Sequence, residues 1–521
     1  PKTNGIGEIE LKVSYTKLDK ANKWVPFSVD FYIDAVNGID AFYHAVQYDF
    51  NFDLQNEDQP PAGLRYQIAD DARSKGPYYW ESNRPIPLTD EEALTYKNDT
   101  LFTSAFDLDT EVAPSVTDST GISGKDRSLL WYGIFNDRTY KLSDQWQLTT
   151  DSYISHINFN TVEGLVVGQR STFQYEPANN KLLTITPEIR YGFSSKKFFG
   201  KVDLEKVLNP VKPAKLSVSG GSYPEQISGF ESISPFDNTM YSLLDGQNYL
   251  KLYQNDFIDM RFQKELFNGF DLRISTGYAY RSSLSNTTDF SFANEEELNY
   301  TPNIARVDNL LLNFTDNAIW KYGISINYAI ARPYNLYPDR KEILPTNRPV
   351  IRVAYESGRV DSDYQLLWGN VSDAWTFGIV GTSSLSVSYG NFLSRNNVFV
   401  TEYFHFAGNQ TVFLNNAGNY NLTYQLLDYY HMSSDREFFG ATYEHDFNSA
   451  IIGKIPLLNK TKASLSLNAN YLETPAVGNY FEAGIQLKHI LQVINIGYYQ
   501  SYQNGEYIRN GFVIGAAVTI E

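Results

Sequence analysis

Six histidines punctuate the chain, His44, His156, His405, His431, His445 and His489, and the chemistry open to them is general-base catalysis or metal coordination. A hydrolase built into a membrane barrel would pair one of them with a nucleophilic Ser or an activated water near the rim. Glu444 and His445 are adjacent, but neighbouring side chains of a strand point to opposite faces, so these two cannot share one ion. Asp107, Asp109 and Glu111 offer carboxylate oxygens suited to calcium, yet the loop pattern with its central Gly is absent, and a solvated linker is the simpler reading. With no Cys in the chain, disulfides, cysteine nucleophiles and thiolate metal sites are all excluded. No nucleophile, base and orienting group come together by spacing. The expectation is therefore no enzyme, no cofactor and no metal.

What recurs instead is alternation. Near the end, Phe512, Ile514, Ala516, Val518 and Ile520 fall on one face of a strand, and Gly511, Val513, Gly515, Ala517 and Thr519 on the other. Upstream, Leu465, Leu467, Ala469 and Tyr471 oppose Ser464, Ser466, Asn468 and Asn470, while Phe481, Ala483, Ile485 and Leu487 oppose Glu482, Gly484, Gln486 and Lys488. Trp320 to Tyr328, Phe270 to Arg281 and Leu183 to Tyr191 read the same way. Many of these runs reach about 10 residues, the length that crosses a bilayer at a tilt, whereas sandwich strands average about 5 to 6. The fold class expected is all-β, an antiparallel transmembrane β-barrel with lipid outside.

Composition agrees. The chain carries 39 Tyr, 33 Phe and 7 Trp, yet its mean hydropathy is only -0.37, as expected when every second residue faces lipid and aromatic girdles mark the interfaces. No run approaches the roughly 18 apolar residues of a membrane helix. A net charge of -17 argues against nucleic acid as a partner and suits acidic, solvated loops. The chain opens on Pro1 without a signal-peptide pattern, so the segment is expected to begin inside a longer precursor.

A barrel is expected over 156–521 and a β-rich periplasmic segment over 1–155. Roughly 360 residues, at roughly 22 per strand with its share of loop, give about 16 strands. The strands expected run from Val162–Tyr175 through Lys181–Phe193, Lys196–Val207, Lys215–Gly220, Tyr249–Leu266, Phe270–Arg281, Ile319–Ala331 and Val350–Glu356. Then come Tyr364–Trp368, Trp375–Tyr389, Asn397–Phe406, Phe438–Phe447, Ala463–Tyr471, Tyr480–Leu491, Ile494–Tyr502 and Gly511–Ile520. Polar stretches interrupt the series at Ser222–Asn248, Ser282–Asn317 and Pro333–Pro349. Strict parity puts Ser222–Asn248 on the periplasmic side, where short turns are the rule, which signals a strand missed or overcounted nearby. In the first segment, Ile9 to Tyr15 and Phe27 to Ala35 alternate as a small antiparallel sheet. Thr89 and Glu92 form a capping box for a short helix over Asp90–Lys97, and Asp107–Ser128 reads as an acidic linker. The inward charges Arg190, Arg273, Arg281, Glu482 and Lys488 either brace the wall or line a water-filled pore.

Five separated motifs carry a resemblance: Tyr79 to Glu92, Phe159-Asn160-Thr161-Val162-Glu163-Gly164, Asn248 to Tyr253, Gly408-Asn409-Gln410-Thr411 and Gly453 to Leu458. Together they resemble an uncharacterised family of bacterial outer-membrane proteins in which a carboxypeptidase-regulatory-like β-sandwich precedes a large domain of unknown function. The resemblance implies a fold and, weakly, a function. More distantly, Phe406 to Thr411 followed by Ser434 to Phe439 and Thr442-Tyr443-Glu444 is similar in order to the inner loop and next strand of the BamA/TamA-like surface-antigen superfamily. That superfamily's loop tip has an Arg-Gly pair. Here no Arg lies between Gly408 and Ser434. The similarity implies a lumen loop at Gly408, Asn409, Gln410 and Thr411, plugging by amide hydrogen bonds or serving only as a turn.

The function expected is a non-enzymatic outer-membrane barrel that assists protein or lipid assembly or translocation. Its seam is expected where Gly164 and Gly168 of a weakly pairing first strand meet Gly511 and Gly515 of the last. A passive or gated pore and a structural subunit of a complex are the alternatives. The partners expected are outer-membrane lipid and proteins of a membrane complex.

Overall fold

The computed structural model describes residues 6–18, 23–35, 41–46, 61–68, 133–177, 181–229, 233–293, 300–308, 310–312, 314–414, 423–448, 450–455, 461, 463–490 and 494–516. The helix expected at Asp90–Lys97, the linker at Asp107–Ser128 and the motif Tyr79 to Glu92 lie outside the described residues. Two compact units divide the chain, one of Pro1–Pro61 with Asp70–Ile122, the other of Ala62–Ala69 with Ser123–Glu521. The boundary expected at 155/156 falls inside the second. In the first, β1 (Ile6–Leu18), β2 (Lys23–Ala35) and β3 (Ala41–Val46) form the antiparallel sheet that the alternation there predicts.

The second unit is all but entirely β. After β4 (Leu64–Gln67) come β5 (Arg138–Lys141), β6 (Trp146–Thr150), β7 (Ile157–Asn160), β8 (Gly164–Tyr175), β9 (Leu183–Gly192), β10 (Lys197–Asn209) and β11 (Ala214–Gln226). A helix, α1 (Pro235–Asp245), precedes β12 (Leu252–Phe267) and β13 (Phe270–Ser283). The hairpin β14 (Ala305–Val307) and β15 (Leu310–Leu312) leads to β16 (Asn317–Ala329). Two short strands, β17 (Tyr334–Leu336) and β18 (Lys341–Ile343), form a side sheet with β4. The wall resumes with β19 (Val350–Val360), β20 (Asp363–Thr376) and β21 (Thr382–Asn397). The two-residue β22 (Phe413–Leu414) intervenes before β23 (Glu437–Asp446), β24 (Ser464–Thr474), β25 (Gly478–Ile490), β26 (Ile494–Gln503) and β27 (Glu506–Ala516).

The strand order is that of a barrel. Antiparallel ladders run without a break from β6 and β7, through β8 and each long strand in turn, to β27. Traced pair by pair, they do not close: among the described residues no ladder joins β27 to β5, β6 or β7. Counting β6 and β7 as one interrupted strand, sixteen strands run to β27, and β5 adds a short one beside β6.

The polarity of this wall is inverted relative to a water-soluble protein. Large apolar side chains such as Ile258 (60% exposed), Trp320 (55%) and Val371 (51%) stand on the outside, while Ser466, Glu482 and Ser501 are fully buried within. Since burying polar groups and exposing apolar ones is costly in water, the outer solvent is hydrocarbon. Phe512 is outward and Val513 and Gly515 are buried, as the alternation of the last strand predicts.

Two corrections resolve the parity conflict. The first strand of the wall is not Val162–Tyr175 but Trp146–Asn160, hidden from a periodicity reading because a 3-10 turn at Tyr153–His156 interrupts it. Conversely, Asn397–Phe406 is no strand beyond Asn397; it opens a long loop through a 3-10 turn at Val400–Glu402. The total is unchanged, but the join 227–251 moves to the other end of the barrel. The three longest joins, 227–251, 284–316 and 398–436, then share one end, while 330–349, 447–463 and the finish of β27 lie at the opposite one.

Candidate functional site: an inner loop and an unzipped seam

The join 398–436 turns into the lumen, and inward charges hold it there. Its entry is fixed by Glu402, whose side chain is fully buried and accepts from Arg281 of β13, with Lys321 of β16 at 3.6 Å and Ser362 Oγ at 3.4 Å. Burial alone would raise the carboxyl's pKa, but the nearby Arg281 and Lys321 charges outweigh it and hold the group below the ordinary range. His405 closes the neck: one ring nitrogen meets the Val400 carbonyl at 2.7 Å and the other the Ser433 hydroxyl at 2.7 Å. Burial pushes this imidazole down to about 4, so it is neutral, donating to the carbonyl and accepting from the serine. Phe404 and Ser434 exchange backbone hydrogen bonds beside it, which ties the two limbs together.

Deeper in, Gly408, Asn409, Gln410 and Thr411 form the turn of the loop's first limb. Asn409 is 1% exposed. Its amide donates to the carbonyls of Thr411 (2.9 Å) and Gln425 (3.2 Å), and its oxygen accepts from the Thr411 N–H and hydroxyl. The backbone of Asn409 donates to Leu427 O at 2.7 Å, and Gln410 accepts from Tyr429 N–H. These amides therefore stitch limb to limb; the lumen wall is gripped elsewhere. Glu482 of β25 accepts from the backbone N–H groups of Gln425 (2.6 Å) and Leu426 (2.9 Å), from Asn470 (2.8 Å) and from the Tyr480 hydroxyl (2.8 Å). All four contacts are donated to the carboxyl, the pattern an ionised acid satisfies. Arg509 of β27 donates to Leu426 O and pairs with Asp428 at 2.7 Å. Leu426 itself packs on Tyr499 and Val513, and Leu427 and Met432 join Phe438, Leu472 and Tyr480. Beside Gln425 remains a small cavity whose lining mixes Ser384, Ser386, Thr442, Asn468 and Asn470 with Leu385, Tyr443 and Tyr499.

The other inward charges divide. Arg190 pairs with Glu163, and Lys488 with Glu444 (2.7 Å) and Asp446 (3.2 Å), so both brace the wall. Among the described residues Arg273 hydrogen-bonds to Gln263 alone, and it stays exposed. Glu444 and His445 do face opposite ways: His445 meets Ser383 at 2.8 Å. His156 contacts Asp151 and His431 contacts Gln503. His489 has φ 58°. The side chain of His44 lies outside the described residues. Among the described residues no three of His, Cys, Asp or Glu gather as a metal site.

The seam is the second component. Gly164 and Gly168 do not border it: β8 is paired on both sides, and the edge lies earlier in the chain, in β7 and in the short β5 that covers β6. Gly511 and Gly515 do lie on the last strand. There the free edge of β27 is met by β22, in parallel, at Phe413↔Ile514 and Leu414↔Gly515, with Ile514 N–H donating to Val412 O at 2.7 Å. A two-residue piece of the inner loop thus stands where a full neighbouring strand would pair.

Residues 132–487 match a family described as a family of unknown function (DUF5686), C-terminal domain. The chain belongs to that family. No curated protein matches it. Among solved structures, this DUF5686 chain is similar to BamA from Haemophilus ducreyi lacking POTRA domains 1–3, at 9% identity and a TM-score of 0.40, over 98% of this chain and 90% of that one. It is also similar to CdiB from Acinetobacter baumannii, at 8% identity and a TM-score of 0.35, over 69% of this chain but only 58% of CdiB. A Rhodopseudomonas blastica porin mutant shares 8% identity at a TM-score of 0.29, over 67% of this chain and 90% of the porin. At such scores these likenesses carry no information on activity.

Sequence reasoning missed Glu402 and α1. The second had a signal: Ser234-Pro235 followed by Gly246 spells a capped helix start and an αL stop. Glu402 had none, because its partners lie on strands far away in the chain.

Proposed function

We propose that this DUF5686 family member is a non-enzymatic barrel of the bacterial outer membrane that helps place or move proteins or lipids there, working at its seam. The observation that carries the reading is the last strand's edge, paired by two residues of a lumen loop in place of a strand. Unpaired N–H and C=O groups at such an edge are a template for an incoming extended segment. The end where β27 finishes is then periplasmic, and the joins 227–251, 284–316 and 398–436 face outward. A passive pore is the weaker reading, because the loop is bonded to at least three wall strands through Arg281, Glu482 and Arg509.

The test is photocrosslinking in living cells from probes along Ile157–Asn160 and Phe512–Gly515. Capture of newly made outer-membrane proteins or of lipid at these edges, and not from mid-wall strands such as β20, is the expected result. A clean survey with no client or lipid at either edge would remove the motive for the proposal, and large steady conductance in planar bilayers would favour the pore.

A further inference from the structure

Helix α1 is built inside out. Its buried face is polar, with Asp237, Asn238 and Ser242, while Phe236 (62% exposed), Met240 (41%) and Leu244 (59%) form an exposed apolar stripe at i, i+4 and i+8. A helix on the surface of a water-soluble protein shows the reverse. Phe290 (53%) and Phe292 (67%) extend the same apolar surface, the latter through its N–H to Leu243 O. At the stripe's end the charged Asp245 is also exposed.

The polar face has specific work at the seam. Thr239 Oγ accepts from Phe159 N–H at 2.8 Å, and Asn238 donates to Phe159 O at 3.4 Å, so helix side chains occupy the edge of β7 where a strand would pair. On the other side Tyr241 Oη accepts from Val412 N–H at 2.9 Å, and Val412 O in turn accepts from Ile514 of β27. The helix therefore stands between the two edge strands, one residue of loop away from the last. Leu165 and Val167 on β8, and Phe512 on β27, continue the exposed apolar surface to either side.

We propose that α1 is a wall stave of the barrel, closing the gap between first and last strands and presenting Phe236, Met240 and Leu244 to lipid acyl chains. A helix suits this place because its backbone groups are satisfied within the segment, as hydrocarbon requires, whereas an open strand edge is not. The inference holds whether or not the seam ever opens, and so goes beyond the proposed function.

The absence of native Cys allows single labels. Full-length protein carrying Met240→Cys or Leu244→Cys is spin-labelled in phospholipid vesicles, and collision with oxygen, which concentrates among acyl chains, is compared with collision with a water-soluble nickel chelate. Ile324→Cys on β16 supplies the lipid-facing reference and Asp144→Cys the aqueous one. Both helix positions should match Ile324, with an oxygen-to-nickel ratio several-fold above that at Asp144. Nickel-rich values would overturn the proposal in favour of a helix in water, and low collision with both reagents would overturn it in favour of a protein cover. Two exposed positions keep the test decisive should one variant fail to fold.

Discussion

Replacing Glu482 with Gln tests the anchoring of the inner loop at its deepest point. Glutamine keeps the shape and one acceptor oxygen, which can retain Gln425 N–H and Asn470, but turns an NH2 toward Leu426 N–H and the Tyr480 hydroxyl, now 2.9 and 2.8 Å from a carboxylate oxygen. Two hydrogen bonds to a charged acceptor are lost at about 1.5–3 kcal/mol each, and rotation of the Tyr480 hydroxyl to accept recovers part, leaving a net of about 2–4 kcal/mol. The ratio of released to docked loop then rises roughly 30- to 700-fold. Because the loop is held by its own contacts, this appears as local opening, read by hydrogen exchange of the amides in 423–428 against those of β24 and β26. The expected result is a loss of protection confined to the loop. Unchanged exchange there would refute the anchor, and an equal rise along the strands would show that Glu482 holds the wall and not the loop.

Three further predictions concern the same loop. His405, depressed to about 4 from its ordinary 6.5, binds its proton more readily when released, so docking is at full strength above the ordinary value and weakens as pH falls toward the depressed one. Between pH 8 and pH 5 the loss is about 2 kcal/mol, and His405→Gln should flatten the pH dependence of loop exchange. Arg281→Met leaves the buried Glu402 carboxylate without its main partner and should destabilise the folded barrel by about 3–5 kcal/mol in urea titrations, with Glu402→Gln restoring much of it. In Gly408→Ala the new Cβ would lie 2.5 Å from Leu427 O. The limbs must part, at about 1–3 kcal/mol, raising loop exchange while leaving the wall protected.

How far the sequence could be read depended on the range of the forces involved. The alternation at Trp320 to Tyr328 or Phe481 to Lys488 is written residue by residue, because each side chain answers to lipid or lumen independently of its partners. The strand Trp146–Asn160 was missed because the turn at Tyr153–His156 breaks that period. Asn397–Phe406 was overcounted because β-prone residues also suit an extended loop limb packed in a lumen. For the site, the loop at Gly408 to Thr411 is implied by a resemblance in motif order, which does not say what it grips: Asn409 bonds to Gln425, while Glu482 holds the other limb across 57 residues of chain.

The sequence by itself determined the solvent of this protein and, through strand length and count, its barrel architecture. Only the tertiary structure decided which strand is first, that α1 stands in the seam, and that the charges Arg281, Glu482 and Arg509 grip a loop. The physical reason is that alternation is a one-body preference of each side chain for its medium, whereas seams and anchors are pairings between groups that meet only once the sheet has curled.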